Sequence, residues 1–422
     1  MYRCVMGIIT ELTRMWLTRS RKPFTFRKEY DSILPYRDCQ GLGLYIHIPF
    51  CRQICNFCPY CKVPFAKELC DRYIDSLIQE IHLVGGQYPG RKKVTSLYFG
   101  GGTPALAAYR LPEIMAAVQS HFEITEGVGL ELHPDNVTEE TLRILKESGV
   151  SKISIGIQSF QPKSQKILGR KPVRPEALSQ ALSKVPFETV SMDFIFALPG
   201  QTIDDLKADI DTAFHSGANH IAIYPFIDFT FTPSSMKALG KKEKKHLLDA
   251  VTDYCFSMGC GRDSIWTFSD SPGARYSSMT RENFLGFGCS ATTLLNDQFK
   301  INTFSVEEYC RRVDHKTLPT SLTIRFTKRQ RMVYWLFWTA YSTKVDERDF
   351  ESFFGVPLKC CYGFELLLAR LLGFVTKSGT VYSMTPKGAF YYHYYENFYT
   401  LAYIDKMWRI LRKEAFPEEI TL

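Results

Sequence analysis

The 422-residue chain contains no apolar run of about 18 residues or more, so no membrane-crossing helix is expected. Its first twenty residues carry arginines throughout and lack the continuous apolar core of a secretory signal. A strong excess of one charge sign is lacking as well. Lys and Arg number 52 against 44 Asp and Glu, and the resulting +8 permits an anionic substrate or surface without requiring either. The 13 cysteines form no disulfide framework, being odd in number and scattered outside one cluster. A stapled secreted fold is therefore not expected, and a reduced, cytoplasmic chain is.

What is present has ordinary globular composition, 45% hydrophobic and 23% charged, with a high aromatic share of 14%. The length suits one large core and a smaller domain. Residues 1–40 read as an extension, with Ile8, Ile9, Leu12, Met15 and Trp16 at helical spacing among Arg14, Arg19, Arg21 and Lys22. Such a basic amphipathic helix either docks on its own domain or touches a membrane face or apolar partner. From residue 41, strand-like runs at 43–48, 94–99, 128–132, 152–157, 190–196 and 220–226 alternate with helical patterns. These patterns cover Glu68–Val84, Leu111–Phe122, Glu139–Ser148, Pro175–Ser183 and Ile203–Ser216.

Six βα units predict an α/β fold, a parallel sheet curling into a full or partial (β/α)6 barrel over residues 41–235. Residues 236–324, with the glycine-rich "FLGFGCSATT", read as a segment that completes it. Residues 325–422 are α-rich and aromatic, and their helix–helix–hairpin order suggests a winged-helix-like domain covering the substrate. The aromatic run "YYHYYENFYTLAYIDKMW" (391–408) reads as core or as a stacking wall for a flat ring. Nucleic-acid binding is not expected of this module.

In a βα barrel the chemistry gathers at the C-terminal ends of the strands. Cysteines follow the first strand, Gly-Gly-Gly-Thr-Pro the second and His-Pro-Asp the third; Gln158 ends the fourth and Leu-Pro-Gly-Gln follows the fifth. Cys51, Cys55 and Cys58 have the spacing C-x3-C-x2-C, with Cys61 three residues on. A structural zinc site draws four ligands, commonly as two pairs, and no second pair appears at finger-like spacing. A redox dithiol needs only two thiols. Three thiolates on one compact loop suit a [4Fe–4S] cluster with one iron open; zinc remains the alternative.

The cysteine spacing after "LYIHIPFC" resembles the radical S-adenosylmethionine (SAM) superfamily. The words "YFGGGTP", "GVSKISIGIQSF", "GRKP" and "MDFIFALPGQT" resemble its oxygen-independent coproporphyrinogen III oxidase-like branch, from about Leu44 to Thr293. The resemblance implies a [4Fe–4S] cluster on Cys51, Cys55 and Cys58, whose open iron chelates SAM and whose electron splits it to a 5′-deoxyadenosyl radical. It further assigns SAM contacts to Tyr45, Phe57, Gly101, Gly102, Thr103, Glu131, Gln158, Arg170 and Asp193, and less securely to Ile227. Two SAM molecules per chain are expected from part of the branch, as is a flavodoxin- or ferredoxin-type electron donor. Cys61 is expected to stay unligated, since a fourth thiolate would block the SAM position.

Two departures bear on the substrate. The fourth cysteine of coproporphyrinogen oxidases is replaced by Tyr60, and a stretch beginning "WTFSDSPGARYSSMTRENF" (266–284) stands where heme-chaperone relatives have a His-Asn segment. On these grounds the expected activity is radical methylation of an sp2 carbon in a planar aromatic metabolite such as menaquinone, as in class C radical SAM methyltransferases. The alternatives are oxidative decarboxylation of coproporphyrinogen III and a heme-binding chaperone.

Overall fold

The computed structural model describes residues 2–30, 32–270 and 282–422. The stretch 271–281, the centre of the divergent segment noted above, lies outside the described residues. Six parallel strands form the middle of the molecule: β1 (Leu42–Ile48), β2 (Leu97–Gly101), β3 (Val128–Leu132), β4 (Lys152–Gln158), β5 (Thr189–Phe196) and β6 (His220–Pro225). They lie side by side in chain order, joined by right-length helical crossovers. The crossovers include α2 (Lys67–Gly85), α3 (Leu111–His121), α4 (Glu139–Glu147), α5 (Pro175–Lys184) and α6 (Ile203–His215). Each expected strand and helix of this part is present within a few residues of its predicted bounds.

A seventh strand, β7 (Asn283–Phe287), runs parallel to β1 on its other side. Beyond it the sheet turns antiparallel through β8 (Thr292–Leu295), β9 (Gln298–Asn302) and β10 (Thr320–Arg325). Among the described residues the fourteen strands of this sheet make a linear order from Gly261–Arg262 to Glu419–Thr421, so the barrel they form is partial and open. The extension contributes to it: Thr25–Arg27 pairs with both β10 and the C-terminal Glu419–Thr421.

Strand interiors are apolar on both faces, as parallel strands covered by helices require. Ile46, Phe99, Ile153, Ile155 and Met192 have no exposed surface. Against that background a polar row stands out. Glu131 pairs with Ser154, Ser154 with Ser191, and Ser191 with His220, so register alone lines these side chains across four strands.

The C-terminal part folds around a second core of Met332, Trp335, Phe350, Phe354, Leu358, Tyr362 and Tyr382. Its order is α7 (Lys328–Tyr341), strand Lys344–Asp346, α8 (Glu347–Phe354), α9 (Leu358–Leu371) and the hairpin Val375–Ser378/Val381–Met384. Its three antiparallel strands and this order are the expected winged-helix-like arrangement. The hairpin turns at Gly379, so its second strand ends at Met384 and Thr385 caps α10 (Pro386–Tyr399).

That helix and α11 (Asp405–Leu411) carry the aromatic run back onto the barrel. His393 packs edge-on against Trp266 at 4.2 Å, and Trp408 stacks on Phe229 at 6.3 Å. Asp405 accepts hydrogen bonds from the Thr230 amide and hydroxyl, both 2.6 Å. Within the run His393, Phe398, Tyr403 and Met407 are buried while most of the other aromatics are half-buried, which makes part of the run core.

The N-terminal helix α1 (Tyr2–Thr18) lies against this part: Tyr403 donates to Glu11, and Arg329 to the Leu17 carbonyl. Arg14, expected beside the apolar stripe on a basic face, is instead 5% exposed and engaged with Glu11 and backbone carbonyls. Ile8, Leu12 and Trp16 remain exposed, and the Trp16 ring lies 6.0 Å from Phe364 on α9, a helix that also exposes Leu367, Leu368 and Leu371. No helix among the described residues is long and apolar enough to cross a membrane.

Candidate functional site

The loop between β1 and α2 holds the cysteine cluster. Phe50–Cys51 pairs in parallel with Val63–Pro64, which ties the loop off at its neck. The triple glycine presses on that neck. Gly102 donates to the Ile48 carbonyl and Thr103 to the Phe50 carbonyl, both at 2.8 Å. A Cβ on Gly102 would meet the Phe50 oxygen at 2.7 Å, and Gly101, at φ +125°, would meet the His47 ring at 2.8 Å. These glycines are thus demanded by the chain's own packing; a ligand is not needed to explain them.

Cys51 is buried, with its sulfur 3.8 Å from Thr103 Oγ1, while Cys55 and Cys58 are half-buried. Arg170 approaches Cys55 Sγ at 3.6 Å, and Lys62 donates to the Cys58 carbonyl at 2.5 Å. Burial pushes the Cys51 thiol up to about 11 and raises that of Cys58. Ionising Cys51 and Cys58 therefore calls for positive charge that one Arg and one Lys at the rim do not supply; iron does. The three sulfurs do not share the 4.8 Å neighbourhood of a single ion's ligand set, whereas a multi-iron cluster takes each on a different corner. The loop fits the group the spacing implied.

Beside the loop stand two carboxylates, Glu131 of the polar row and Asp193 two residues beyond Ser191. Glu131 accepts from the Gly101 amide and from Tyr98 Oη, each 3.2 Å. Asp193 accepts from Ser154 Oγ on both oxygens at 2.8 Å and from Ser191 Oγ at 3.3 Å. Burial, and for Glu131 the Asp193 charge as well, pushes Glu131 up to about 8; burial pushes Asp193 up to about 6. Two carboxyls held reluctant to ionise are a receptor for a cation, since an arriving positive charge lowers both.

Tyr45 belongs to the same region: its hydroxyl is 3.1 Å from His47 Nδ1, and a Cβ on Gly100 would touch both it and Glu131. Gln158 closes β4 in the left-handed region at φ +71°, opposite an irregularity in β5 pairing. A non-glycine residue there stores backbone strain of the kind found at ligand sites. Arg170 braces the same strand end through the Gly156 carbonyl.

Other expected contacts have structural roles. Phe57 packs with Leu168, Ile195, Leu198 and Phe226, fastening the cysteine loop to the ends of β5 and β6. The Ile227 carbonyl accepts from the Phe229 amide at 3.2 Å. The motif residues Ser159 and Phe160 hydrogen-bond Asp209 of α6, and Thr202 forms a capping box with Asp205 at the start of that helix.

Two neighbours were missed from sequence. Tyr60, in the loop, has Glu131, Asp193, Cys58 and Glu396 as its charged neighbours. Glu396 arrives from α10, and burial pushes its carboxyl up to about 8. Its only signal was to be the single acid within the aromatic run 391–404.

The comparisons with known proteins agree with this geometry. The family model described as Radical SAM superfamily matches residues 45–213. The heme chaperone HemW of Lactococcus lactis is 35% identical over 188 residues, 43% of this chain and 48% of that protein, so the chain aligns with about half its length. The oxygen-independent coproporphyrinogen III oxidase of Cereibacter sphaeroides is 27% identical over 307 residues, 66% of this chain and 68% of the other. Among solved structures, the coproporphyrinogen III oxidase HemN from Escherichia coli superimposes with a TM-score of 0.75 at 20% identity, over 91% of this chain and 98% of that one.

These relatives overturn the expectation of a menaquinone-type methyltransferase. They are named coproporphyrinogen III oxidases and heme chaperones, and the departures at Tyr60 and 266–284 were too local to outweigh a likeness that extends through the barrel. The family's cofactors are a [4Fe–4S] cluster and SAM. Residues 45–213 of this chain therefore form a Radical SAM superfamily domain.

Proposed function

We propose that the protein is a radical SAM enzyme acting on a tetrapyrrole, and that its reaction is the oxidative decarboxylation of coproporphyrinogen III. The observation that supports this most is the convergence of the cysteine loop with Glu131, Asp193, Gln158 and Arg170 at the strand ends. When bound, the cluster supplies one electron to SAM and so generates the radical that removes hydrogen from the substrate. Cys51, Cys55 and Cys58 would hold the cluster. Glu131 would take the cationic methionine end of SAM, and Asp193, oriented by Ser154 and Ser191, its hydroxyls. Arg170 would pair with the carboxylate. Lys62 and Arg412, beside Cys58, offer positive charge to the propionates of the substrate. The α10–α11 segment, which meets the loop at Tyr60 and Trp408, would cover the bound ring.

Heme delivery is the second reading, favoured by the heme-chaperone relatives. His47, His220 and His393 are too buried to offer an axial ligand without rearrangement. One anaerobic experiment separates the readings: reconstituted protein, dithionite, SAM and coproporphyrinogen III, read by mass spectrometry, with heme titration in parallel. Loss of carbon dioxide together with 5′-deoxyadenosine supports the enzyme. A Soret shift at micromolar heme with no substrate turnover transfers the assignment to heme binding.

The exposed apolar residues of α1 and α9 are where we place a peripheral membrane contact. Flotation with anionic vesicles tests it, and W16E combined with L371E is expected to abolish co-flotation.

A further inference from the structure

Cys61 does not face the cluster cysteines. Its sulfur turns inward, 3.3 Å from the Phe304 carbonyl, into a pocket shared with His47 and Cys289. The imidazole nitrogen and the two sulfurs lie within 4.8 Å of one another, and all three residues are buried. They come from three elements: β1, the end of the cysteine loop, and the turn after β7.

The backbone is shaped to bring them together. Gly288, at φ +96°, lies so close to β1 that a Cβ would stand 2.5 Å from the His47 carbonyl and 2.5 Å from Tyr73 Oη. That tyrosine donates to the His47 carbonyl at 2.7 Å and accepts from the Cys289 amide at 2.9 Å, fixing two of the three residues with one hydroxyl. Glu80 accepts from the Gly288 amide at 2.7 Å and holds the same turn from behind. Ring orientation is set too, with Tyr45 Oη 3.1 Å from Nδ1, the partner a ligating imidazole takes on its far nitrogen.

We propose that His47, Cys61 and Cys289 form a second metal site that binds one zinc ion. Binding would release the two thiol protons and exchange the hydrogen bond between His47 Nε2 and the Cys61 carbonyl, 3.0 Å, for a metal bond. Two thiolates and a neutral imidazole exactly balance a divalent charge in a pocket with no acidic side chain among the ligands, which favours zinc over a monovalent ion. Ser290 Oγ, 3.4 Å from His47 Nε2, offers an oxygen for the fourth position. The ion would pin the exit of the cysteine loop to β1 and β7 independently of the iron cluster.

Cobalt(II) titration of the full-length protein tests this, because thiolate ligation gives charge-transfer bands and tetrahedral geometry gives strong visible bands. The variant C51A/C55A/C58A is expected to bind one equivalent, displaced by zinc. Adding C289S or, separately, C61S is expected to weaken binding about 100-fold. Should these variants not fold, zinc-edge absorption of the cluster-loaded wild type is expected to show one zinc with two sulfurs and one nitrogen.

Cobalt binding that vanishes in C51A/C55A/C58A, or that survives both C61S and C289S, overturns the site. So does a wild type purified without oxygen that contains no zinc, binds none when it is added, or carries a Cys61–Cys289 disulfide.

Discussion

The cysteine loop and the pocket of His47, Cys61 and Cys289 lie against the same strand, three residues apart along the chain at Cys58 and Cys61. They are built by different means. The loop sets its ligands by sequence spacing, leaves Cys55 and Cys58 half-buried, and brings Arg170 and Lys62 to its rim. The pocket takes its residues from positions 47, 61 and 289, and its surroundings are hydrogen-bonded backbone, Tyr73 and Glu80. Two of the three loop thiols stay partly accessible, Cys51 alone being buried. Thiols whose geometry is set by tertiary packing do not.

The largest effect expected from that contrast is the loss of iron. Cys51→Ala, Cys55→Ala and Cys58→Ala should each remove the cluster's absorption and reduce SAM cleavage to background, since no neighbouring thiol faces the vacated corner. Cys61→Ala should keep four irons per chain and SAM cleavage. Iron and sulfide analysis after anaerobic reconstitution checks both. Iron loss in Cys61→Ala would merge the two sets into one and erase the comparison.

A smaller effect falls on the carboxylates beside the loop. Glu131→Gln and Asp193→Asn are each expected to weaken SAM binding roughly tenfold to a hundredfold, the ~1.5–3 kcal/mol of a charged hydrogen bond. The pH dependence has a definite sign. Glu131, pushed up to about 8, and Asp193, to about 6, hold protons that a bound cation displaces. Affinity should therefore rise with pH from 6 to 8, with proton release visible as a buffer-dependent binding enthalpy. In Glu131→Gln the rise above pH 7 should disappear. A flat profile in the wild type would show that these carboxyls do not face the cofactor.

The same contrast explains what the sequence made legible. Strands and helices of the barrel were readable because alternation and apolar runs report local structure. The cysteine motif was readable because Cys51, Cys55 and Cys58 fall within eight residues. The winged-helix-like order was readable from its elements.

Glu131 and Asp193 emerged only through resemblance, since a lone carboxylate at a strand end has no distinguishing pattern. His47, Cys61 and Cys289 could not be grouped at all, because what joins them is the parallel pairing of β1 with β7 across more than 200 residues. Arg14 was misplaced for a related reason: besides Glu11, one turn away on the same helix, its partners are the backbone carbonyls of residues 20–22, which become available only when the chain turns back. The substrate was misjudged because local departures were given more weight than the continuity of the barrel.

The smallest effect concerns the support of the buried pocket. Glu80 is buried and accepts three hydrogen bonds: from the Gly288 amide at 2.7 Å, Tyr309 Oη at 2.6 Å and Asn302 Nδ2 at 3.2 Å. Glutamine keeps the shape but offers one oxygen, so at least one of these donors must face an amide nitrogen. Glu80→Gln should therefore cost about 1–3 kcal/mol of stability, measured by urea unfolding at pH 6.

Burial pushes the Glu80 carboxyl up to about 7, while the unfolded chain ionises near its ordinary 4.5. Between those values the folded state binds more protons than the unfolded one. This residue's contribution to stability is thus fullest below 4.5, and it declines as pH rises through 7. Glu80→Gln removes that slope, so the gap between wild type and variant should narrow from pH 5 to pH 8. A gap that widened over this range would mean that Glu80 is ionised in the folded protein, and that the turn carrying Cys289 is held by a carboxylate rather than by a carboxylic acid.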